Sequence, residues 1–243
     1  MKGGEFVYID YVGKVKDSGE IFDITNEQAA RKEGVWREGF KYGPVPIVVG
    51  ADFVLPGLND ALKEMNVGEK KNFEIKPDKG FGDRNAEYIK LIPEARFKEQ
   101  DIDVGVGRVV TINNLRGRVM SMDGGRVKVD FNHPLAGKTL AYDLTVVSKI
   151  EDVAEKISAL IYYFVGIDKE GVAVEIEKKV KTAEIEFKKK ANIRTDVKEM
   201  IANNALKYVE GIEKVKFVDI FEKTDKNAEK VGEKTEESGE KGG

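Results

Sequence analysis

Residues 5–16 are dense in tyrosine and valine and predict a strand, and Asp17-Ser18-Gly19-Glu20 supplies a hairpin turn into a second strand, Ile21-Phe22-Asp23. Asn26 to Tyr42 is charged and punctuated by glycine, with helix formers at Glu27-Gln28-Ala29-Ala30-Arg31-Lys32, and reads as a long loop holding one helical turn. Pro44-Val45-Pro46-Ile47-Val48-Val49-Gly50 reads as a short strand whose prolines suit a sheet edge. Leu58, Ala61, Leu62 and Met65 then recur at helical spacing, and Gly68 provides the stop. Lys70 to Ile75 is the next strand, closed by the turn Pro77-Asp78-Lys79-Gly80-Phe81-Gly82.

From about Ala86 to Phe131 the chain breaks into short β-runs: Ile89–Ile92, Arg108–Ile112, Arg116–Met120 and Arg126–Asp130, parted by turns such as Asp123-Gly124-Gly125. This predicts a small all-β module. Leu140 to Ile150 is a strong strand that should return to the first sheet, so the module is an insertion and the first domain is discontinuous. A third unit follows. Val153, Ile157, Leu160 and Ile161 make an apolar helix face. Val172-Val174-Ile176 and Ala183-Ile185-Phe187 alternate with charges as two half-buried strands. Thr195 or Asp196 is placed to cap a second helix running to Val209, and Val215 to Phe221 closes an α-β-β-α-β unit. The expected divisions are 1–85 with 132–151, then 86–131, then 152–222. The remainder, 223–243, is Lys, Glu, Gly and Ser with too little to bury, and should be disordered.

Composition narrows the setting. A net charge of −3 gives no basic field, which argues against nucleic acid as a partner. Lys and Glu are dense and interspersed, glutamine occurs only at Gln28 and Gln100, and cysteine is absent, a bias that fits a cytoplasmic protein from a hot organism. The N-terminus shows no apolar signal region and no apolar run approaches membrane-spanning length, so the expectation is a soluble, intracellular protein without a membrane partner.

Two segments carry the chemistry: Asp52-Phe53-Val54-Leu55-Pro56-Gly57-Leu58-Asn59-Asp60-Ala61-Leu62 and Asn132-His133-Pro134-Leu135-Ala136-Gly137-Lys138-Thr139-Leu140. Together they resemble the active-site signature of the FKBP-type peptidyl-prolyl cis/trans isomerases. Roughly seventy residues separate them, far more than in a minimal FKBP, and the surplus lies about where the flap belongs. That arrangement resembles the insert-in-flap chaperone module of SlyD-like isomerases and the long-chain archaeal FKBPs. The resemblance implies an α+β fold: an FKBP-like antiparallel sheet wrapped on a short helix, an inserted all-β domain and a C-terminal α-β-β-α-β domain.

Prolyl isomerisation needs no acid, base, metal or cofactor. Rotation destroys amide resonance, which sets a barrier of about 18–20 kcal/mol. A site lowers it by surrounding the amide with apolar and aromatic groups and by a hydrogen bond that survives twisting. Removing about 7 kcal/mol corresponds to roughly five powers of ten in rate. The resemblance supplies candidates. Ile9-Asp10-Tyr11-Val12-Gly13 is similar to the family's Val-x-Tyr-x-Gly, making Tyr11 a wall. Phe22-Asp23 is similar to its Phe-Asp pair, with Phe22 a wall and Asp23 the polar group near the twisting carbonyl. Val54-Leu55 matches its Val-Ile pair, so the Leu55 N–H would bind a substrate carbonyl, and Tyr142 stands at a usual phenylalanine.

Three departures soften the pocket: Leu58 replaces the tryptophan of the pocket floor in many FKBPs, Phe81 replaces a tyrosine and its hydroxyl, and Val45 replaces a larger side chain. His133, the only histidine, reads as pocket lining together with Leu135. In the insert, open strand edges and adaptable apolar side chains suit extended peptides, with Val109, Ile112, Leu115, Val119 and Met120 as candidate contacts. One histidine and no cysteine leave no metal cluster, and Asp101 and Asp103 read as a solvated turn. Trp36 should pack either beside the prolyl pocket or beneath its own loop.

These readings favour an isomerase acting on X-Pro peptides and on unfolded or partly folded proteins, with an attached holding chaperone. The competing class is a non-catalytic holding chaperone with a vestigial prolyl site. The helix from Ile150 to Val165 ends in Leu160-Ile161-Tyr162-Tyr163-Phe164-Val165, more apolar than one face requires. That surplus suggests a homodimer through the C-terminal domain, with burial inside the domain as the competing reading.

Overall fold

The computed structural model describes residues 1–188 and 192–220. The first sheet joins β1 (Phe6–Val15), β2 (Ile21–Ile24), β3 (Val45–Val48), β4 (Lys70–Ile75) and the long β9 (Leu140–Ile150). The spatial order is β2-β1-β9-β4, and β3 also pairs with β1. All these pairings are antiparallel. Between β2 and β3 lies the expected helical turn, α1 (Glu27–Lys32), capped by the Asn26 side chain accepting from the Ala29 N–H. The amphipathic helix α2 (Pro56–Glu64) packs on the sheet, with Leu58 and Leu62 buried beside Val7, Ile9, Ile75 and Leu144.

The insert forms its own four-stranded antiparallel sheet from β5 (Ile89–Pro93), β6 (Val109–Ile112), β7 (Leu115–Asp123) and β8 (Arg126–Asp130), in the order β5-β8-β7-β6. It also carries one short helix, α3 (Glu94–Glu99), whose Phe97 is buried with Val110, Ile112, Val119, Val127 and Val129. The two chain crossings into the insert are tied together. The Asn85 N–H donates to Asn132 Oδ1 at 2.8 Å, and Asn132 Nδ2 donates back to the Asn85 carbonyl at 2.9 Å. Arg84 adds an ion pair to Asp130. Burial pushes the Asp130 carboxyl up, but hydrogen bonds from Asn132 and Arg84 outweigh it and hold it below the usual carboxylate range.

The last unit runs α4 (Val153–Val165), β10 (Val172–Glu177), β11 (Thr182–Phe187), α5 (Thr195–Tyr208) and β12 (Lys214–Val218). β11 pairs antiparallel with β10 and parallel with β12. Helix α4 starts on an Asp152 cap and ends on Gly166 in the left-handed conformation. Helix α5 differs from expectation: Arg194 holds its N-cap position with no side-chain bond, and Thr195 lies inside the helix. Asp196 instead accepts from the Arg194 guanidinium, so neither residue caps. Phe221 and the tail expected to be disordered lie outside the described residues.

The apolar face of α4 is buried within the chain as far as Ile161, while Tyr163 near its end is exposed. Ile157, Leu160 and Ile161 share one core with Ile185 and Ile201 of the last unit and with Phe6, Val48 and Ile150 of the first sheet. Alternation along β1 therefore serves two cores: Phe6 and Tyr8 pack toward α4, while Val7 and Ile9 pack toward α2. Among the described residues no helix is long and apolar enough to cross a membrane.

Phe6 anchors β1 in the core on the α4 side and is 1 % exposed. Replacing it with alanine should cost about 3–5 kcal/mol in denaturant unfolding, as for other buried aromatics. It should also release amide-exchange protection at Ile157–Ile161. Unchanged protection there would mean that the two cores are not shared.

Candidate active site

A solvent-open cleft of about 910 Å³ lies where β1, β2 and β9 meet the loop leading into α2. Of the residues nominated from the sequence for the prolyl pocket, Tyr11, Phe22, Asp23, Val54, Leu55, Leu58, Phe81, His133, Leu135 and Tyr142 all line it. Val45 does not. It pairs with Ile9 at the start of β3 and packs against the core, which takes its side chain away from the opening.

The aromatic rings meet edge to face. Phe22 lies 5.8 Å from Tyr142 and 6.2 Å from Phe81, both T-shaped, and Tyr11 sits 5.8 Å from Tyr142. Phe73, from β4, stacks behind Tyr142 at 6.0 Å. This approach depends on Gly13, because a Cβ there would stand 2.8 Å from Phe22 Cζ and 3.2 Å from Tyr142 Cε1. Gly57 is constrained in the same way at the start of α2, where a Cβ would meet Ile75 Cγ2 at 2.6 Å. Neither Gly13 nor Gly57 could carry a Cβ unless these side chains moved.

Polar chemistry at the rings is concentrated in one pair. The Tyr11 hydroxyl donates to Asp23 Oδ2 at 2.7 Å. Burial, reinforced by the Asp23 charge, pushes the Tyr11 phenol far above its ordinary range, so it stays a neutral donor. Burial does the same to Tyr142. A half-buried network fixes the end of β2 against β1: Thr25 Oγ1 donates to Asp10 Oδ1, Asn26 Nδ2 donates to Asp10 Oδ2 at 2.7 Å, and the Tyr11 N–H donates to Thr25 Oγ1 at 2.8 Å. These bonds hold Tyr11 and Phe22 in register.

The floor comes from Leu58 at the foot of α2, which is 2 % exposed. Leu55 is the helix N-cap position. Its carbonyl accepts from the Leu58 and Asn59 N–H groups, and among the described residues its own N–H has no partner. One wall is carried by the neck of the insert: Phe81 precedes it, His133 follows it, and their rings stack at 4.3 Å and 9°. His133 Nδ1 accepts from the Leu135 N–H at 3.2 Å, which turns the ring toward Phe81.

Some residues of the cleft were missed by sequence reasoning. Phe53 and Asn59 line it, although both lie inside the signature segment that pointed to Val54 and Leu55. Trp36 lines neither the cleft nor a buried site beneath its loop: it is 38 % exposed against α1, where its Nε1–H donates to Glu27 and the Arg31 guanidinium lies 4.2 Å over its ring. The insert candidates divide. Leu115, Val109 and Met120 are exposed at 61 %, 53 % and 41 %. Ile112 and Val119 are core residues at 8 % and 1 %, so they do not face a client.

Comparison with known proteins agrees with this geometry. The family described as FKBP-type peptidyl-prolyl cis-trans isomerase matches residues 1–104, the FKBP26 IF domain matches 90–135, and the FKBP26 C-terminal domain matches 153–222. The chain is 30 % identical over 146 residues to the short-type peptidyl-prolyl cis-trans isomerase of Methanocaldococcus jannaschii, covering 60 % of this chain and 92 % of that protein. It is 36 % identical over 113 residues to a probable FKBP-type 16 kDa peptidyl-prolyl cis-trans isomerase of Pseudomonas fluorescens, covering 44 % of this chain and 74 % of that protein. It is also 29 % identical over 119 residues to the FKBP-type isomerase SlyD of Helicobacter pylori, covering 48 % and 64 %. The chain belongs to the FKBP-type peptidyl-prolyl cis-trans isomerases, and carries both an insert-in-flap domain and an FKBP26 C-terminal domain.

Proposed function

We propose that the protein accelerates proline-limited folding by isomerising X-Pro bonds in unfolded and partly folded chains, while the inserted module holds the client. The observation that supports this most is the convergence of Tyr11, Phe22, Phe81 and Tyr142 on one open cleft, with the Tyr11–Asp23 pair as the polar group among them. In this reading residues 1–85 and 132–151 form the isomerase and 86–131 the holding module.

The prolyl ring enters over Leu58 between Phe22, Tyr142 and Phe81. The planar amide has more charge separation than the twisted one, so an aromatic, water-poor lining favours the twisted state. The unpartnered Leu55 N–H, at the positive end of α2, binds a substrate carbonyl. Asp23, tethered by the neutral Tyr11 hydroxyl, presents a fixed negative group to the carbonyl that rotates. No proton is transferred and no bond is broken. Catalysis is selection of a conformation.

The insert supports client holding through its edges. Strands β5 and β6 are the outer strands of its sheet, with exposed Leu91 on the first and exposed Val109 on the second. Leu115 and Met120 add exposed apolar surface on β7. An extended segment of many sequences can pair with such an edge and set its side chains on this surface. A homodimer through the C-terminal unit stays part of this reading: Ile157, Leu160 and Ile161 of α4 are buried within one chain, but Tyr163 on α4 and Met200 and Leu206 on α5 remain exposed for a partner copy.

Phe22→Ala should lower kcat/KM on a proline tetrapeptide by about tenfold or more, since a wall of the cleft is removed. Gly13→Ala should act in the same direction by forcing Phe22 and Tyr142 apart. Replacing residues 87–130 by a short loop should leave tetrapeptide turnover within about threefold of the intact chain and remove most of the acceleration of a refolding protein. A double change, Val109→Glu with Leu115→Glu, should suppress aggregation-prevention assays without altering tetrapeptide turnover. Tetrapeptide activity absent from the intact chain would instead leave a holding chaperone with a vestigial site.

A further inference from the structure

Between the end of β3 at Val48 and the start of α2 at Pro56 the chain has no regular secondary structure, yet it carries Val54 and Leu55 into the cleft. It is held at two points. At its near end the Asn59 side chain, buried on α2, accepts from the Gly50 N–H at 2.9 Å and donates to the Ala51 carbonyl at 2.7 Å. In its middle, Phe53 borders the cleft but packs against the core of the C-terminal unit, whereas Val54 and Leu55 pack against that of the isomerase sheet. Its ring stacks on Tyr163 at 4.2 Å and 20°, and it meets Phe164 edge-on at 5.8 Å and Tyr208 at 6.4 Å. The Tyr163 hydroxyl also reaches the Phe53 carbonyl at 3.4 Å.

Adjacent residues of one loop are therefore committed to different cores, Phe53 to the C-terminal unit and Val54–Leu55 to the isomerase. We propose that the C-terminal unit is a positioning element for the prolyl site, and that Tyr163 is the positioning residue, acting through Phe53 on the Leu55 N–H. An unpacked loop moves on the nanosecond-to-microsecond scale, and a backbone donor two residues from Phe53 inherits that motion. Stacking against a helix end of a second unit removes it. This assigns a role in turnover to the C-terminal unit, whose described residues contribute no side chain to the four-ring cluster. The inference rests on the assignment of Val54–Leu55 to the site.

The test uses the full chain and three variants. Tyr163→Ala removes the stack; because Tyr163 is 41 % exposed, its loss leaves the buried stripe of α4 intact. Tyr163→Phe keeps the stack and loses only the hydroxyl. Ile185→Val trims the C-terminal core without touching the loop and serves as the stability control. Tyr163→Ala should lower kcat/KM on a proline tetrapeptide about fivefold, mainly in kcat, as expected when a reacting group is misplaced. It should also speed amide exchange at Val54 and Leu55 by about tenfold through local opening. Tyr163→Phe should restore both, and Ile185→Val should change neither. Turnover of Tyr163→Ala equal to that of Ile185→Val overturns the proposal, whether or not the loop amides exchange faster. Phe22→Ala run beside it separates the causes: if that variant loses turnover, the site stands and only the clamp falls. If it too keeps turnover, both assignments fall.

Discussion

Two-sided burial of the first half of β1 is the constraint on which the rest of the structure depends. An antiparallel sheet ordinarily keeps one face wet. Here Phe6 and Tyr8 meet α4 while Val7 and Ile9 meet α2, so one strand serves two cores. The irregularity in the β1–β9 pairing falls at Tyr8/Ile9. Beyond it the positions that continue the Phe6–Tyr8 face become Asp10, Val12 and Lys14, and the strand turns to building the cleft with Tyr11. Burying a large apolar side chain contributes about 1.5–3 kcal/mol, so the fully buried Phe6, Val7 and Ile9 bind the C-terminal unit and the isomerase sheet firmly to a common strand.

The cleft inherits its rigidity from these attachments. Its rings come from β1, β2 and β9, its floor from α2, and its outer wall from Phe81 and His133 at the neck of the insert. Each support is of a different kind: a glycine that permits ring contact, a carboxylate network from Asp10, and paired asparagines at the neck. An aromatic site that works by selecting a twisted amide has no strong ligand to organise it. Its geometry has to be present beforehand, which is why so many contacts converge on it.

Much of the cleft's lining was legible in the sequence, because its residues sit in short motifs that resemble those of the FKBP-type isomerases. The limits were physical. Val109 and Ile112 are three apart on one strand, so alternation puts them on opposite faces; only Val109 is exposed, and Ile112 joins the insert core. Helix α3 has six residues and a single buried anchor, Phe97, too short for a period to emerge. Val45 matched a motif position, but its side chain serves the core beside Ile9. The apolar surplus of α4 was visible, but its split between Ile157, Leu160 and Ile161, buried in the chain, and Tyr163, left exposed, depends on partners distant in sequence. Phe53 lay in plain view within the signature, but its partners Tyr163, Phe164 and Tyr208 are more than a hundred residues away in the chain.

The most direct test of the assigned site is NMR titration of the intact protein with a proline tetrapeptide, following protein shifts and cis/trans exchange of the peptide in one sample. The account predicts shift changes centred on Tyr11, Phe22, Leu55, Phe81, His133 and Tyr142, with exchange cross-peaks between the cis and trans prolyl signals that the free peptide lacks. Shift changes confined to the insert, or exchange no faster than in the free peptide, would contradict it.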